Sequence, residues 1–353
     1  MNLKILASNI YCPARINFKG CDETTTLEVF GANKDAVCVN ETYFFRNPET
    51  LNFVSNYVDR TYKNGTNIAD FACSTGEEAY SLAMLLAKNN KDKKYKITGY
   101  DIAPNIINSV DSRLYEITNN VMEKFLVYSA EDSQTKYFKN LFYQNFETFP
   151  KNLQAIDYTP HQIYKINKKI EKSSDVHEKI LLKYMLEFAK VPAQKRWNDF
   201  SYPKKDAFKN VVSFEVKDIS ELGKTYKLDK NTGVVFFKNA FYHLTGYYTR
   251  TGFKGVDLSA AIDVVKQINK SLLSDGILVV GVLDRDHMPK DGTLSSVIQD
   301  GKEISVINNS PFHKMLKENG FEPIFYEQVR DILGNVVTSG EYLPSVWKKV
   351  RDV

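Results

Sequence analysis

Two kinds of hydrophobic pattern alternate along residues 66–115, and this alternation constrains the fold more than any other feature of the chain. The apolar run TNIADFA precedes the amphipathic stretch GEEAYSLAMLLAKNN, and the run KYKITGYDI precedes the stretch PNIINSVDSRLY. The runs predict strands and the stretches predict helices. Strands that alternate regularly with helices favour a parallel sheet whose strands are joined by right-handed crossovers.

The same pattern resumes after residue 210, with VVSFEVKDI, TGVVFFKNAFYHL, SAAIDVVKQINKSLL and GILVVGVL. The last run is apolar on both faces, which is typical of a central parallel strand. SPFHKMLKENGF predicts a further helix, and EPIFYEQV and a piece around residues 342–350 predict two last strands. We therefore expect an α/β protein with a doubly wound, mostly parallel sheet.

The pattern also predicts where the chain divides. Residues 1–39 hold short β-like runs, and a helix is predicted to begin at Pro48. We expect residues 40–115 and 210–353 to form the two halves of one core. Residues 116–209 are Tyr- and Lys-rich, with helical periodicity in HEKILLKYMLEFAK, and are expected to be a helical insertion that serves as a lid or a substrate-docking element.

Composition argues against several classes of protein. The net charge of +4 comes from 47 basic and 43 acidic residues, so no single-sign surface is expected that would attract nucleic acid. The four cysteines lack the spacing of a zinc site or a disulfide framework, and no metal is expected. No apolar run reaches about 18 residues, so no membrane span is predicted and a soluble, cytoplasmic protein is expected.

The turn between the first strand and its helix points to a nucleotide-like ligand without a phosphate. Small residues at such a turn let backbone amides approach a ligand. A dinucleotide site needs GxGxxG, whereas this turn has only Gly76 and then Glu77 and Glu78, which would repel a pyrophosphate. A ligand with a cationic amino group, such as S-adenosylmethionine (SAM), fits better. Asp101 ends the next strand, where an acid can accept hydrogen bonds from ribose hydroxyls or cap the helix that begins near Pro104.

Two strings make a family resemblance specific. The heptad NETYFFR at residues 40–46 resembles the NxTxFFR segment of CheR-type protein-glutamate methyltransferases, and ACSTGEEAYSLAM resembles the ACSTGEEPYSLAM cofactor loop of that family. YDIAP, SRLYE and VVFFKNAFYHL resemble further family segments, so the resemblance covers about residues 38–115 and 210–284. It implies a class I methyltransferase fold with a C-terminal antiparallel hairpin, SAM as the cofactor and S-adenosylhomocysteine as its product.

By position, the resemblance also implies roles for individual residues. Arg46, Tyr242 and His243 are implied to be catalytic. Glu78 would approach the methionyl amino group, and Asp101 would approach the ribose. The full set of residues implied to line the cofactor site is Asn40, Thr42, Arg46, Ala72, Ser74, Gly76, Glu78, Asp101, Ile102, Asp218, Ile219 and Asn239.

Departures from the family pattern leave the methyl acceptor open. His243 stands where the family has a tyrosine that faces the transferring methyl group, and Asp218 stands where an Asn is expected near the adenine. A histidine is suited to accept a proton from an amine or hydroxyl acceptor, whereas a carboxylate acceptor needs no base. His243 can equally be a packing residue. The acceptor is therefore a protein carboxylate, another protein side chain or a small molecule, and a non-catalytic cofactor-binding module is the third alternative.

Overall fold

The computed structural model describes residues 42–89, 94–110, 113–117, 132–148, 159–189, 199–238, 240–244, 258–281, 293–299, 302–308, 311–324 and 345–353. The expected β-like segment 1–39 lies outside these residues. Eight α-helices are described in this part of the chain: α1 (Pro48–Thr61), α2 (Glu77–Asn89), α3 (Pro104–Val110), α4 (Asp132–Asn145), α5 (Pro160–Lys172), α6 (Val176–Ala189), α7 (Ser259–Ser271) and α8 (Pro311–Glu318).

Seven of the described strands form one sheet in the order β11-β12-β8-β7-β1-β2-β6. The five from β8 to β6 run parallel, while β12 is antiparallel to both β8 and β11. The strands of this sheet are β1 (Asn67–Phe71), β2 (Lys96–Asp101), β6 (Val212–Val216), β7 (Thr232–Phe237), β8 (Leu272–Val280), β11 (Phe321–Pro323) and β12 (Val346–Lys349). This order, with its terminal antiparallel pair, confirms the predicted class I fold.

Alternate residues of the central strands supply two cores, one on each face of the sheet. Ile68, Val234 and Val279 lie in a core shared with α1, α2 and α4. Their chain neighbours Ala69 and Val235 lie in the other core, which is shared with α7 and α8. Every residue of β7 is buried, and so are residues 276–280 of β8, as predicted for the apolar run GILVVGVL. At about 1.5–3 kcal/mol for each large buried side chain, these two cores are the main source of the stability of the sheet.

Residues 116–209 are only partly helical. Besides α4, α5 and α6 they hold a small antiparallel sheet in the order β3-β5-β4, formed by β3 (Tyr115–Ile117), β4 (Phe146–Thr148) and β5 (Asp199–Pro203). Strands of three to five residues are too short to show a period, which explains why helical periodicity alone was visible in the sequence.

Part of this segment also belongs to the core that the sheet shares with α1 and α2. The Phe44 ring meets Phe142 and Phe146 edge to face, with ring centroids 4.9 and 5.1 Å apart. Phe138 packs on Phe45 at 4.6 Å. The expectation of a separate insertion therefore does not describe α4 and β4, which are packed into the core. We retain it as a proposal for the α5–α6 hairpin.

A third described sheet, with the two strands β9 (Thr293–Gln299) and β10 (Lys302–Asn308), was not predicted. Two residues, Asp300 and Gly301, separate its strands. Asp-Gly between two runs is a sequence signal for a β-hairpin, so this element was predictable. None of the described helices is both long and apolar enough to cross a bilayer.

The packing predicts which part of residues 116–209 can be removed. Thr148 of β4 lies opposite Ser201 of β5 in an antiparallel pair, so a short turn can replace residues 150–197. We expect this deletion to change the free energy of unfolding, measured in urea, by no more than about 2 kcal/mol.

The control is a deletion of residues 120–205, which also removes the buried side chains of Phe138, Phe142, Phe146 and Phe200. Losing four such side chains costs about 6–12 kcal/mol, which is comparable to the whole stability of a domain. This longer deletion is therefore expected to unfold the protein. If the two deletions lowered the free energy of unfolding equally, residues 150–197 would belong to the core as well.

Candidate cofactor site

The loop after β1 has a backbone conformation that residues with a Cβ atom rarely adopt. Ala72 and Ser74 have φ angles of 55° and 49°, and Gly76 has a φ of 88°. The left-handed region costs a residue with a Cβ roughly 1–2 kcal/mol, so surrounding contacts must hold this loop. Cys73 N donates to Tyr100 O at 3.1 Å, and Gly76 N donates to Cys73 O at 3.0 Å. The loop leads directly into α2.

Asp101, at the end of β2, ties this loop to the neighbouring strand. One carboxylate oxygen accepts from Ser74 N at 2.9 Å, and the other accepts from Ala103 N at 3.0 Å. Burial raises the pKa of the Asp101 carboxyl, and the backbone hydrogen bonds oppose that effect. These two hydrogen bonds and the predicted ribose contact are compatible, since each carboxylate oxygen retains a second lone pair.

Two acids occupy the start of α2, and they have different partners. Glu77 Oε2 accepts from Thr75 Oγ1 at 2.5 Å, and burial raises the pKa of Glu77 while Arg113 and this hydrogen bond oppose it. Glu78 Oε2 pairs with Lys238 Nζ at 2.7 Å, and both side chains are nearly buried. Glu77 therefore has a local structural partner, whereas Glu78 reaches across to the end of β7.

Buried polar atoms without partners concentrate at this edge of the sheet. Among the described residues, five buried side-chain oxygen atoms have no hydrogen-bond partner, and three of the five belong to Asp70, Ser74 and Glu78. An unsatisfied buried acceptor costs about 1–3 kcal/mol, so such a cluster calls for a donor. The described residues contain no group of three His, Cys, Asp or Glu side chains placed to hold a metal ion. These acceptors fit an organic ammonium group and would repel a phosphate.

Other predicted residues lie at the same carboxyl edge. Asp218 follows β6, caps a short 3-10 helix (Ile219–Glu221) by accepting from Ser220 N at 2.9 Å, and is next to Lys217, whose N donates to Asp101 O at 2.9 Å. The ends of β1, β2, β6 and β7 thus bring the loop, Asp101, Asp218 and Lys238 to one edge, where ligands bind in open α/β sheets. Ile102 lies directly after Asp101 and is half-buried.

The heptad is fastened to α2 through its second phenylalanine. Phe45 N donates to Ser81 Oγ at 2.7 Å, and Ser81 Oγ donates to Glu77 O at 2.6 Å. Thr42 is half-buried, and the Arg46 guanidinium lies 5.4 Å from the centre of the Tyr43 ring. The roles of Thr42 and Arg46 toward a cofactor stay predictions.

Four of the predicted site residues fall outside what is described. Asn40 and Asn239 lie outside the described residues, and so do the side chains of Tyr242 and His243. The backbone of the last two lies in a 3-10 helix (Phe241–Leu244) that follows β7. Their chemical roles therefore stay predictions.

Two residues of the site were missed in the sequence. Asp70 is an acid inside the buried run NIADF, and Lys238 ends the buried run TGVVFF. A charged residue within or directly after a fully apolar strand is the signal that could have found both, because such charges are rarely buried without a function or a partner.

Part of the chain is similar to known proteins. Residues 40–196 match the family model described as CheR methyltransferase, SAM binding domain. The chain is CheR-like over this segment. The match confirms the resemblance carried by the heptad and the loop, and its description names the predicted cofactor. It also continues through residues 116–196, which the motifs had left outside the resemblance.

Two curated relatives are each named chemotaxis protein methyltransferase. A chemotaxis protein methyltransferase from Campylobacter jejuni strain 81-176 is 37% identical over 82 residues, covering 23% of this chain and 30% of the relative. One from Borreliella burgdorferi is 31% identical over 93 residues, covering 23% of this chain and 33% of the relative. The chain thus spans about a third of the length of these relatives.

Solved structures were also compared. The rRNA methyltransferase AviRa from Streptomyces viridochromogenes aligns with a TM-score of 0.27 and 11% identity, over 69% of this chain and 76% of that chain.

The double hydrogen bonding of Asp101 makes a prediction for the CheR-like loop. Asp101→Asn replaces one acceptor oxygen by an N–H donor that faces a backbone N–H, so we expect it to lower the free energy of unfolding by about 1–3 kcal/mol. It should also weaken SAM binding, measured by calorimetry, by about 1–3 kcal/mol.

Asp218→Asn is the matched control for stability, because Asn caps a helix as well as Asp does. It should change the free energy of unfolding by less than about 0.5 kcal/mol. If Asp101→Asn were as stable as Asp218→Asn, Asp101 would not hold the loop.

Proposed function

We propose that the chain is a SAM-dependent methyltransferase. The observation that carries this proposal is the set of buried, unpartnered oxygens on Asp70, Ser74 and Glu78 at the start of α2. A helix N-terminus ordinarily favours a bound anion, and here acidic side chains occupy the position of that anion. A ligand that brings its own cation to this position is therefore favoured over a dinucleotide. The CheR-like match of residues 40–196 supports the same cofactor.

Each strand end has a task in this proposal. Glu78 accepts from the amino group of SAM, and the ion pair with Lys238 orients the Glu78 carboxylate. Asp101 accepts from the ribose hydroxyls, and Asp218 with Ile219 lies on the adenine side. The sulfonium of SAM supplies an already activated methyl group. The protein therefore needs chiefly to orient the acceptor and exclude water, which are effects of proximity and desolvation.

We propose a protein carboxylate as the acceptor. The names of the two curated relatives support a protein substrate. A glutamate side chain, with an ordinary pKa near 4.3, is ionised at neutral pH and needs orientation rather than a base. Arg46 is the residue proposed to orient it. A cytoplasmic location and a docking role for the α5–α6 hairpin are consistent with this proposal.

A second acceptor class is favoured by one residue. His243 lies in the turn after β7, at the position of a methyl-facing tyrosine in the family that the chain resembles. An amine or hydroxyl acceptor must lose a proton during transfer, and an imidazole can take it. Under this alternative His243 is a general base, and Tyr242 lies beside it in the chain.

The cofactor proposal is tested by calorimetry on a pair of neighbouring variants. Wild type should bind SAM and S-adenosylhomocysteine but not NAD. Glu78→Gln should weaken SAM binding about tenfold or more, because the amino group loses a charged acceptor. Glu77→Gln, one residue away and hydrogen-bonded to Thr75, should weaken it much less.

Folding of both variants is verified by thermal unfolding, since Glu78→Gln leaves Lys238 without its carboxylate partner. Absence of binding of both SAM and S-adenosylhomocysteine to folded wild type would reject the proposed function.

The acceptor class is tested by the chemistry of the product. A methyl ester of a protein carboxylate is base-labile, so we expect labelled methyl groups to be released as methanol at high pH. His243→Gln should then retain nearly wild-type turnover, and the wild-type rate at saturating SAM should be flat between about pH 5.5 and 8.

Base-stable label would instead establish the second class. A drop in kcat of about 100-fold or more for His243→Gln, with unchanged SAM affinity, would point to the same conclusion.

A further inference from the structure

Asp70 is a buried acid inside an apolar strand. It is the fourth residue of β1, between Ala69 and Phe71, which pack in the core on one face of the sheet. Its side chain is only 4% exposed, and its Oδ2 atom has no hydrogen-bond partner among the described residues. An ionised carboxylate buried in this way is costly, so the neutral form or a bound cation is required.

The charged groups around Asp70 come from three neighbouring elements. Glu78 lies on α2, Asp101 ends β2 and Lys238 follows β7. Burial raises the pKa of Asp70 well above its ordinary value, Glu78 raises it further, Lys238 lowers it, and Asp101 raises it. Lys238 Nζ pairs with Glu78 Oε2 at 2.7 Å, and Asp70 Oδ2 is left without a hydrogen-bond partner among the described residues.

The remaining acceptors are arranged for one additional cation. Asp70 Oδ2 and Glu78 Oε1 are both buried and without partners among the described residues. With Asp70 ionised, Asp70, Glu78 and Asp101 carry three negative charges against the single positive charge of Lys238. An ammonium group that binds here would meet two free acceptors and reduce this excess.

We infer that Asp70 holds a proton while the site lacks a cationic ligand and releases it when the amino group of SAM binds beside Asp70 and Glu78. The O–H bond of the Asp70 carboxyl breaks, the proton passes to the solvent, and the ammonium group takes its place as the positive partner. Cofactor binding is thereby coupled to the release of one proton. This inference rests on the proposed function, since it names Asp70 as a further residue of the same site.

The coupling has a direction in pH. Below the pKa of Asp70 in the cofactor-free protein, binding must displace a proton, so SAM affinity rises with pH. Above that pKa the site is already ionised and the dependence ends. The effect is confined to the ammonium end of the ligand. S-adenosylhomocysteine, which has the same amino group but no sulfonium charge, should release the same number of protons.

The experiment measures protons released on binding, by calorimetry at pH 6.5 in buffers that differ in ionisation enthalpy. At that pH the ligand keeps its own proton, because an α-amino group has a pKa of about 7.7–8.0. We expect wild type to release protons on binding either ligand, at most one for each ligand bound, and Asp70→Asn to release none. Asp206→Asn removes an exposed aspartate at a φ of 62°, which Asn tolerates, and should behave as wild type.

A second measurement needs no ligand and separates the possible failures. Because the folded state retains a proton on Asp70 that the unfolded state loses above about pH 4, the free energy of unfolding of wild type should fall as pH rises through the window above pH 4, relative to Asp70→Asn. Asp70→Ser serves if Asp70→Asn does not fold.

The outcomes are distinct. If SAM binds but wild type releases no proton, or releases as many as Asp70→Asn, the inference is wrong while the proposed function stands. If neither ligand binds but the pH-dependent difference in stability is present, the proposed function is wrong. The coupling of SAM binding to proton release is then wrong as well.

Discussion

The Asp101 carboxylate is the contact on which the shape of the site depends. It accepts hydrogen bonds from both Ser74 N and Ala103 N, and so joins the loop after β1 to the start of α3. Ala72 and Ser74 have positive φ angles, a conformation that glycine would adopt without strain. Without this acceptor the loop would lose the contact that offsets its strain. The same residue is thus required by the fold before any ligand is considered, and a ligand that uses its remaining lone pairs meets a rigid acceptor.

Space around the loop is as restricted as its backbone. A Cβ on Gly76 would lie 2.6 Å from the Phe214 ring, and a Cβ on Gly99 would lie 2.6 Å from the same ring and 2.9 Å from Cys73 Sγ. Phe214 of β6 therefore closes the site from the side of the sheet edge. The loop, β2 and β6 fit together only with glycine at these two positions. Glycine here serves close packing in β2 and both packing and backbone conformation in the loop.

Long, periodic elements could be predicted from the sequence, and short or charged ones could not. The parallel strands and α2 follow from apolar runs that are buried in the two cores, and Asp101 and Glu78 follow from their place at strand and helix ends. The strands β3, β4 and β5 are too short to show a period. Asp70 and Lys238 look anomalous in apolar runs, but their proximity to Glu78 is visible only when β1, β7 and α2 meet. The roles of His243 and Arg46 rest on resemblance, because local sequence does not fix where a side chain meets a ligand.

The heptad is linked to the cofactor loop through a continuous set of hydrogen bonds. Phe45 N donates to Ser81 Oγ, which donates to the carbonyl of Glu77, and the Glu77 carboxylate accepts from Thr75. Tyr115 donates from the other side to the carbonyl of Thr75 at 2.8 Å. Tyr115 begins β3 and packs on Phe44, so the small antiparallel sheet and the heptad hold the same turn. The small antiparallel sheet is therefore connected, through the hydrogen bond of Tyr115, to the loop that we propose binds the cofactor.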